Sequence, residues 1–169
     1  MKYAFTISMI LFCAGLQAQS QGINKDFDRE IDDYLSGSVP AIYVEQLLKR
    51  DLKTISILDA RERKEYLVST IPHAIHIGYD DFDMEVVSQL EKDDEIIVFC
   101  SIGYRSEKIG KKLLKAGFTN VKNLYGSIFA WANAGNPLVT PSGLPTRKLH
   151  TYNRKWSKWV ENPDIEKVW

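Results

Sequence analysis

The 169-residue chain has only two cysteines, Cys13 and Cys100, and the first lies in an apolar N-terminal run. That scarcity excludes the disulfide framework on which small exported domains often depend. An excess of charge of either sign is missing as well. Lys+Arg and Asp+Glu number 22 each, so no overall field draws the chain to nucleic acid or to an acidic membrane surface. The N-terminal apolar run, about Ala4 to Leu16, falls short of the ~20 residues that a bilayer core requires. Internal repeats and low-complexity tracts are absent. So is any metal-ligand spacing: His73 and His76 read as solvated or packed side chains, and His150 belongs to the C-terminal tail. No metal and no cofactor is expected.

What is present begins with a targeting pattern. Lys2, the apolar run, and Ala18 before polar Gln19 and Ser20 have the layout of a secretory signal peptide. Residues 1–18 are therefore expected to be removed, with the protein exported to a periplasmic or equivalent space. Bulky Phe12 before Cys13 argues against a lipoprotein anchor. Cys100 is then the sole cysteine of the mature chain, either a buried structural residue or a reactive thiol.

Residues 19–39 form a polar N-terminal segment with a short helix over Lys25 to Tyr34, and the folded core is expected over 40–139. Ile42-Tyr43, Ile55 to Leu58, Ala74 to Ile77, Glu95 to Phe99 and Val121 to Leu124 read as strands. Helical patterns fall between and after them, at Val44 to Arg50, Arg61 to Val68, Met84 to Leu90, Arg105 to Ala116 and Ile128 to Ala134. Val86, Val87 and Leu90 are expected to face inward. In the Arg105 to Ala116 helix, Ser106, Ile109, Gly110, Leu113 and Leu114 form the inner stripe, and Glu107, Lys108, Lys111, Lys112 and Lys115 the outer face. Alternating strands and helices predict an α/β fold, a parallel sheet covered on both faces. The unbroken apolar run Ile96 to Phe99 suits its central strand.

Cys100 ends that strand, and Ser101, Ile102, Gly103 and Tyr104 lead into the next helix with Arg105 and Ser106. Ligands of open α/β sheets bind at this edge. A tight loop there, with Gly103 free to take positive φ, aims backbone N–H groups at one point, and the helix N-terminus favours an anion. Such a cradle, helped by Arg105, lowers the pKa of a cysteine and makes it a nucleophile.

The loop Cys100-x-x-Gly103-x-Arg105-Ser106 resembles the active-site loop of the rhodaneses. Leu58-Asp59-Ala60-Arg61, Glu65-Tyr66 and Ile71-Pro72-x-Ala74 are similar to that family's D-x-R…E-Y…I-P-x-A segment. Gly117-Phe118, Asn123-Leu124-x-Gly126 and Trp131 are similar to its close, so the likeness covers roughly residues 40 to 139. Ser69-Thr70 replace the usual Gly-His, and His73 and Ser127 stand where glycine is common. The resemblance implies a rhodanese fold and a sulfurtransferase. In that reaction Cys100 takes the outer sulfur of a small anionic donor such as thiosulfate, and a thiol or cyanide acceptor removes it. It assigns Ser101 to Ser106 to holding the thiolate and the persulfide, and Arg105 to favouring an anionic donor.

Asp59 and Arg61 either line or brace this loop, or form a structural ion pair or helix cap. A related fold hydrolyses phosphate esters with a C-x5-R loop, but Cys100 to Arg105 is C-x4-R, which favours sulfur. A silent binding module is a rival reading, although such modules typically lack the cysteine. A thiol redox protein is another, and it would need a resolving cysteine. The basic, aromatic tail, residues 140–169, offers a surface for a protein partner. The simpler expectation is that its aromatics fold back to complete the domain surface, with no part in the chemistry.

Overall fold

A computed structural model describes residues 24–169, so the expected signal peptide lies outside the described residues. A helix, α1 (Lys25–Asp32), precedes the sheet, with Asn24 as its N-cap accepting from the N–H groups of Asp26 and Phe27. The strands β1 (Ala41–Ile42), β2 (Ser56–Asp59), β3 (Ile75–His76), β4 (Ile96–Phe99) and β5 (Val121–Leu124) form one parallel sheet in the order β1-β5-β4-β2-β3. Between them run α2 (Val44–Leu47), α3 (Arg63–Tyr66) and α4 (Tyr104–Lys115), and α5 (Ser127–Asn133) follows.

The alternation of side chains along β4 divides the core in two. Ile97 and Phe99 face a cluster built with Phe27 and Ile31 of α1, Leu47 of α2, and Phe129 and Trp131 of α5. Ile96 and Val98 face the other side, against Ile109 and Leu113 of α4. All four β4 residues are buried, because helices cover both faces of a parallel sheet. Each such aliphatic or aromatic side chain contributes about 1.5–3 kcal/mol by leaving water. Gly117 ends α4 with φ +92°, and the N–H groups of Gly117 and Phe118 bond back to the carbonyls of Leu114 and Leu113.

Two expectations of side-chain direction fail. Met84–Val87 is a 3-10 helix, whose three-residue turn leaves Val86 about half exposed while Val87 is buried. Glu107 is buried rather than on the outer face of α4. Its carboxylate accepts from the backbone N–H groups of Ser36 and Ser38, both at 2.9 Å, which pins the N-terminal segment to α4.

After α5 the chain makes β6 (Leu138–Val139), β7 (Pro145–Thr146), β8 (Lys148–His150) and β9 (Glu166–Val168), paired as β6-β7 and β8-β9. Leu149, Trp159 and Val160 of this tail are buried in the cluster that holds Phe129 and Trp131. Trp159 stacks on Phe27, with ring centroids 5.4 Å apart.

Candidate active site

Cys100 follows β4, the middle strand of the sheet, and the loop turns at once into α4. Gly103 makes this turn with φ +121°, a region costly for a residue with a side chain. In that conformation its N–H points at Cys100 Sγ from 3.2 Å. The Gly103 carbonyl is held by Asn123 Nδ2 of β5 at 3.0 Å. Ser106 Oγ stands 3.5 Å from Sγ, 3.1 Å from Gly103 O and 2.7 Å from Asn123 Oδ1.

The loop is also fixed from α5. The N–H groups of Ile128 and Phe129, free at the start of that helix, donate to the carbonyls of Cys100 and Ser101, both at 3.2 Å. The Cys100 N–H donates to Ser127 Oγ at 3.1 Å, and that hydroxyl donates to Leu124 O at 3.0 Å. Ser127 holds φ +49° and His73 φ +66°. Both departures from the usual glycines thus keep the left-handed turn.

Glu65, buried on α3, joins the loop to the segment before it. Its carboxylate accepts from Arg105 Nη1 and Nη2 at 2.5 and 2.8 Å and from Ser101 Oγ at 3.1 Å. It also accepts from the Glu62 N–H at 3.1 Å, closing the first turn of α3. Burial acts to raise the pKa of Glu65, but the hydrogen bonds and charge of Arg105, with the charge of Arg61, hold it below its ordinary value. Cys100 shows the same contest. Burial raises its thiol pKa, yet the Arg105 charge, the Ser106 hydroxyl and the N–H groups of Ser106 and Gly103 outweigh burial and lower it. The geometry therefore favours a buried thiolate in a ring of donors.

Asp59 and Arg61 lie below this site. Both are fully buried, paired through Nε at 2.9 Å and Nη2 at 2.6 Å, and neither lines the pocket. Asp59 also accepts from Thr70 Oγ1 at 2.8 Å, and Arg61 Nη2 donates to Ser69 O at 2.5 Å. Ser69-Thr70 thus complete a buried ion pair that ties β2 to the turn before β3. The N-cap of α3 is Glu62, not Asp59. His76 Nε2 donates to Arg61 O, 2.8 Å away, and its ring stacks on Tyr66.

Above Cys100 opens a pocket of about 560 Å3. The loop contributes Cys100, Ser101, Ile102, Tyr104 and Arg105 to its wall. Glu62, Tyr79 and Asp80 close one side, and Tyr34, Tyr152 and Trp156 come from the segments that flank the core. The tail therefore splits its aromatics: Trp159 packs in the core, whereas Tyr152 and Trp156 face the pocket. His150 helps to place Tyr152, whose N–H donates to His150 Nδ1 at 3.1 Å.

The sequence alone assigns no role to Glu65, Asn123, Ser127, Tyr152 or Trp156. Glu65 and Ser127 sit in or beside the rhodanese-like motifs, and that position is the signal by which they could be found. The two tail residues carry none.

The chain is similar to several known proteins. The profile described as "Rhodanese-like domain" matches residues 41–134. A sulfurtransferase of Allochromatium vinosum is 31% identical over 93 residues, covering 55% of this chain and 86% of that protein. Thiosulfate sulfurtransferase 16 of Arabidopsis thaliana is 37% identical over 91 residues, covering 47% of this chain and 76% of its own length. Two other relatives are longer proteins, of which the chain spans 28% and 52%. The solution structure of a rhodanese-like domain from Anabaena superposes with a TM-score of 0.54 at 28% identity, covering 60% of this chain and 79% of that one. With the parallel sheet and the cysteine loop between β4 and α4, the profile match over more than half the chain places it in a family: the chain belongs to the rhodanese-like domain family.

Proposed function

We propose that the protein is an exported sulfurtransferase that carries sulfane sulfur as a persulfide on Cys100, taken from a donor such as thiosulfate and given to a thiol or cyanide. The observation that carries this reading is the Cys100 sulfur itself, at the base of an open pocket, facing the Gly103 N–H, with its pKa lowered. Relatives named as sulfurtransferases support transfer of sulfur in general. The layout of residues 1–18 supports export.

In the first displacement the Cys100 thiolate attacks the outer sulfur of thiosulfate. A new S–S bond forms, the old one breaks, and its electron pair leaves with sulfite. The persulfide then bears the negative charge, and the N–H groups of the Ser101 to Ser106 loop stabilise it as they did the thiolate. Cyanide or a thiolate attacks the outer sulfur next, and Cys100 leaves as thiolate, ready for another cycle. Arg105 lowers the thiol pKa, while its pairing with Glu65 offsets much of the attraction it would otherwise exert on the donor.

A donor panel tests the proposal. Thiosulfate or mercaptopyruvate is expected to give thiocyanate in the presence of cyanide, and phosphate esters are expected to give no phosphate. Phosphate release without thiocyanate would contradict the sulfur-transfer reading.

A further inference from the structure

We propose that the pocket over Cys100 is a subsite for a small organic thiol with an aromatic or bulky apolar body, which serves as the sulfur acceptor. The proposal rests on Cys100 as the sulfur carrier.

Five rings, those of Tyr34, Tyr79, Tyr104, Tyr152 and Trp156, line the pocket. They brace one another: Tyr34 meets Tyr104 edge-on at 6.1 Å and Trp156 at 5.4 Å, and Tyr152 lies over the Arg105 guanidinium at 5.4 Å. Yet Tyr34, Tyr104 and Tyr152 remain 40%, 39% and 49% exposed, so mutual packing leaves aromatic surface free toward the pocket. A planar or apolar ligand body gains most from such a surface.

Arg105 is the sole cation among the described residues that line the pocket, and Glu65 already pairs with it through two hydrogen bonds. Glu62 and Asp80 add two carboxylates to the wall. A neutral thiol enters such a wall without repulsion. A volume of about 560 Å3 suits an organic molecule and far exceeds the needs of cyanide.

Three of the rings, Tyr34, Tyr152 and Trp156, come from outside residues 41–134, the span of the family match. The collar is therefore an addition by this chain's flanking segments to the shared domain. In the transfer step the acceptor loses its proton to water, and its thiolate attacks the outer sulfur of the Cys100 persulfide. The Cys100–sulfur bond breaks, and its electron pair returns to Cys100 as the thiolate while the acceptor leaves as a persulfide.

Titration of the Cys100→Ser protein, which cannot carry sulfur, with benzyl mercaptan and 2-mercaptoethanol by calorimetry isolates binding from transfer. Benzyl mercaptan is expected to bind at least about tenfold more tightly, a preference that Tyr152→Ala in the same background reduces about tenfold and Tyr152→Phe keeps. Tyr152 is half exposed, and matched melting curves confirm that the variants fold. Equal affinities for the two thiols, or a preference that survives Tyr152→Ala, overturn the subsite. The same thiols offered to sulfur-loaded unmutated protein read the transfer. If the thiol binds with the stated preference but no sulfur leaves the loaded protein, the acceptor role is overturned while Cys100 stands as the carrier. A protein that takes up no sulfur from thiosulfate or mercaptopyruvate instead overturns the reading of Cys100.

Discussion

Glu65 grips Arg105 with both carboxylate oxygens, at 2.5 and 2.8 Å, across 40 residues of sequence. Glu65 is fully buried, so the pair couples the stability of the loop to the acidity of Cys100. Glu65→Gln is expected to lower stability by about 3 kcal/mol, the usual scale for breaking a buried pair. The same change frees Arg105 from its counter-charge and is expected to lower the Cys100 pKa further. Arg105→Ala acts in the opposite direction on the thiol. Denaturant midpoints report the first effect, and alkylation rates against pH the second. In the unmodified protein, alkylation is expected to rise with pH and level off below the titration range of an ordinary thiol, near 8.5. Coinciding alkylation profiles for Glu65→Gln and Arg105→Ala would show that neither charge reaches Cys100.

Ser127 gives the Cys100 N–H its partner at the cost of a left-handed backbone. Ser127→Ala is expected to cost about 1–3 kcal/mol, because a buried N–H loses its acceptor. Ser127→Gly loses the same acceptor but relieves roughly 1–2 kcal/mol of backbone strain. The glycine variant is therefore expected to be the more stable of the two in urea unfolding.

Glu107 predicts a pH dependence of stability. Burial raises its pKa, but the N–H groups of Ser36 and Ser38 outweigh this and lower it. A carboxylate with a lowered folded pKa stabilises the fold above its unfolded value, and that contribution disappears as pH falls through the folded value. The stability difference between the unmodified protein and Glu107→Gln is thus expected to be constant near neutrality and to shrink below about pH 4. A difference that grows in acid would contradict the assignment.

The sheet and the nucleophile are legible in the sequence because their signals are local. Four apolar residues before Cys100 mark a strand covered on both faces, and Gly103 and Arg105 lie within the same loop. Glu107 is misplaced by periodicity, which reads a charged residue as solvent-facing, whereas its partners, Ser36 and Ser38, come from a distant segment. Glu65 belongs to a motif but shows no role there, since its partner is defined only once α3 and α4 meet. Tyr152 and Trp156 face the pocket only because the tail returns across the domain, a contact that no local pattern encodes.

Trp159 shows what the tail contributes to stability. It is largely buried against Phe27, so Trp159→Ala is expected to cost about 3–5 kcal/mol. Deleting residues 145–169 removes Leu149, Trp159 and Val160 from the core together and is expected to lower the melting temperature further. A truncated protein that melts unchanged would contradict this packing.

Intact-mass analysis after incubation with thiosulfate tests the role of Cys100 most directly. The unmodified protein is expected to gain the mass of one sulfur atom and to lose it on addition of cyanide, while Cys100→Ser gains none. An equal adduct on Cys100→Ser, or an unmodified protein that gains no sulfur from either thiosulfate or mercaptopyruvate, would contradict a Cys100 persulfide.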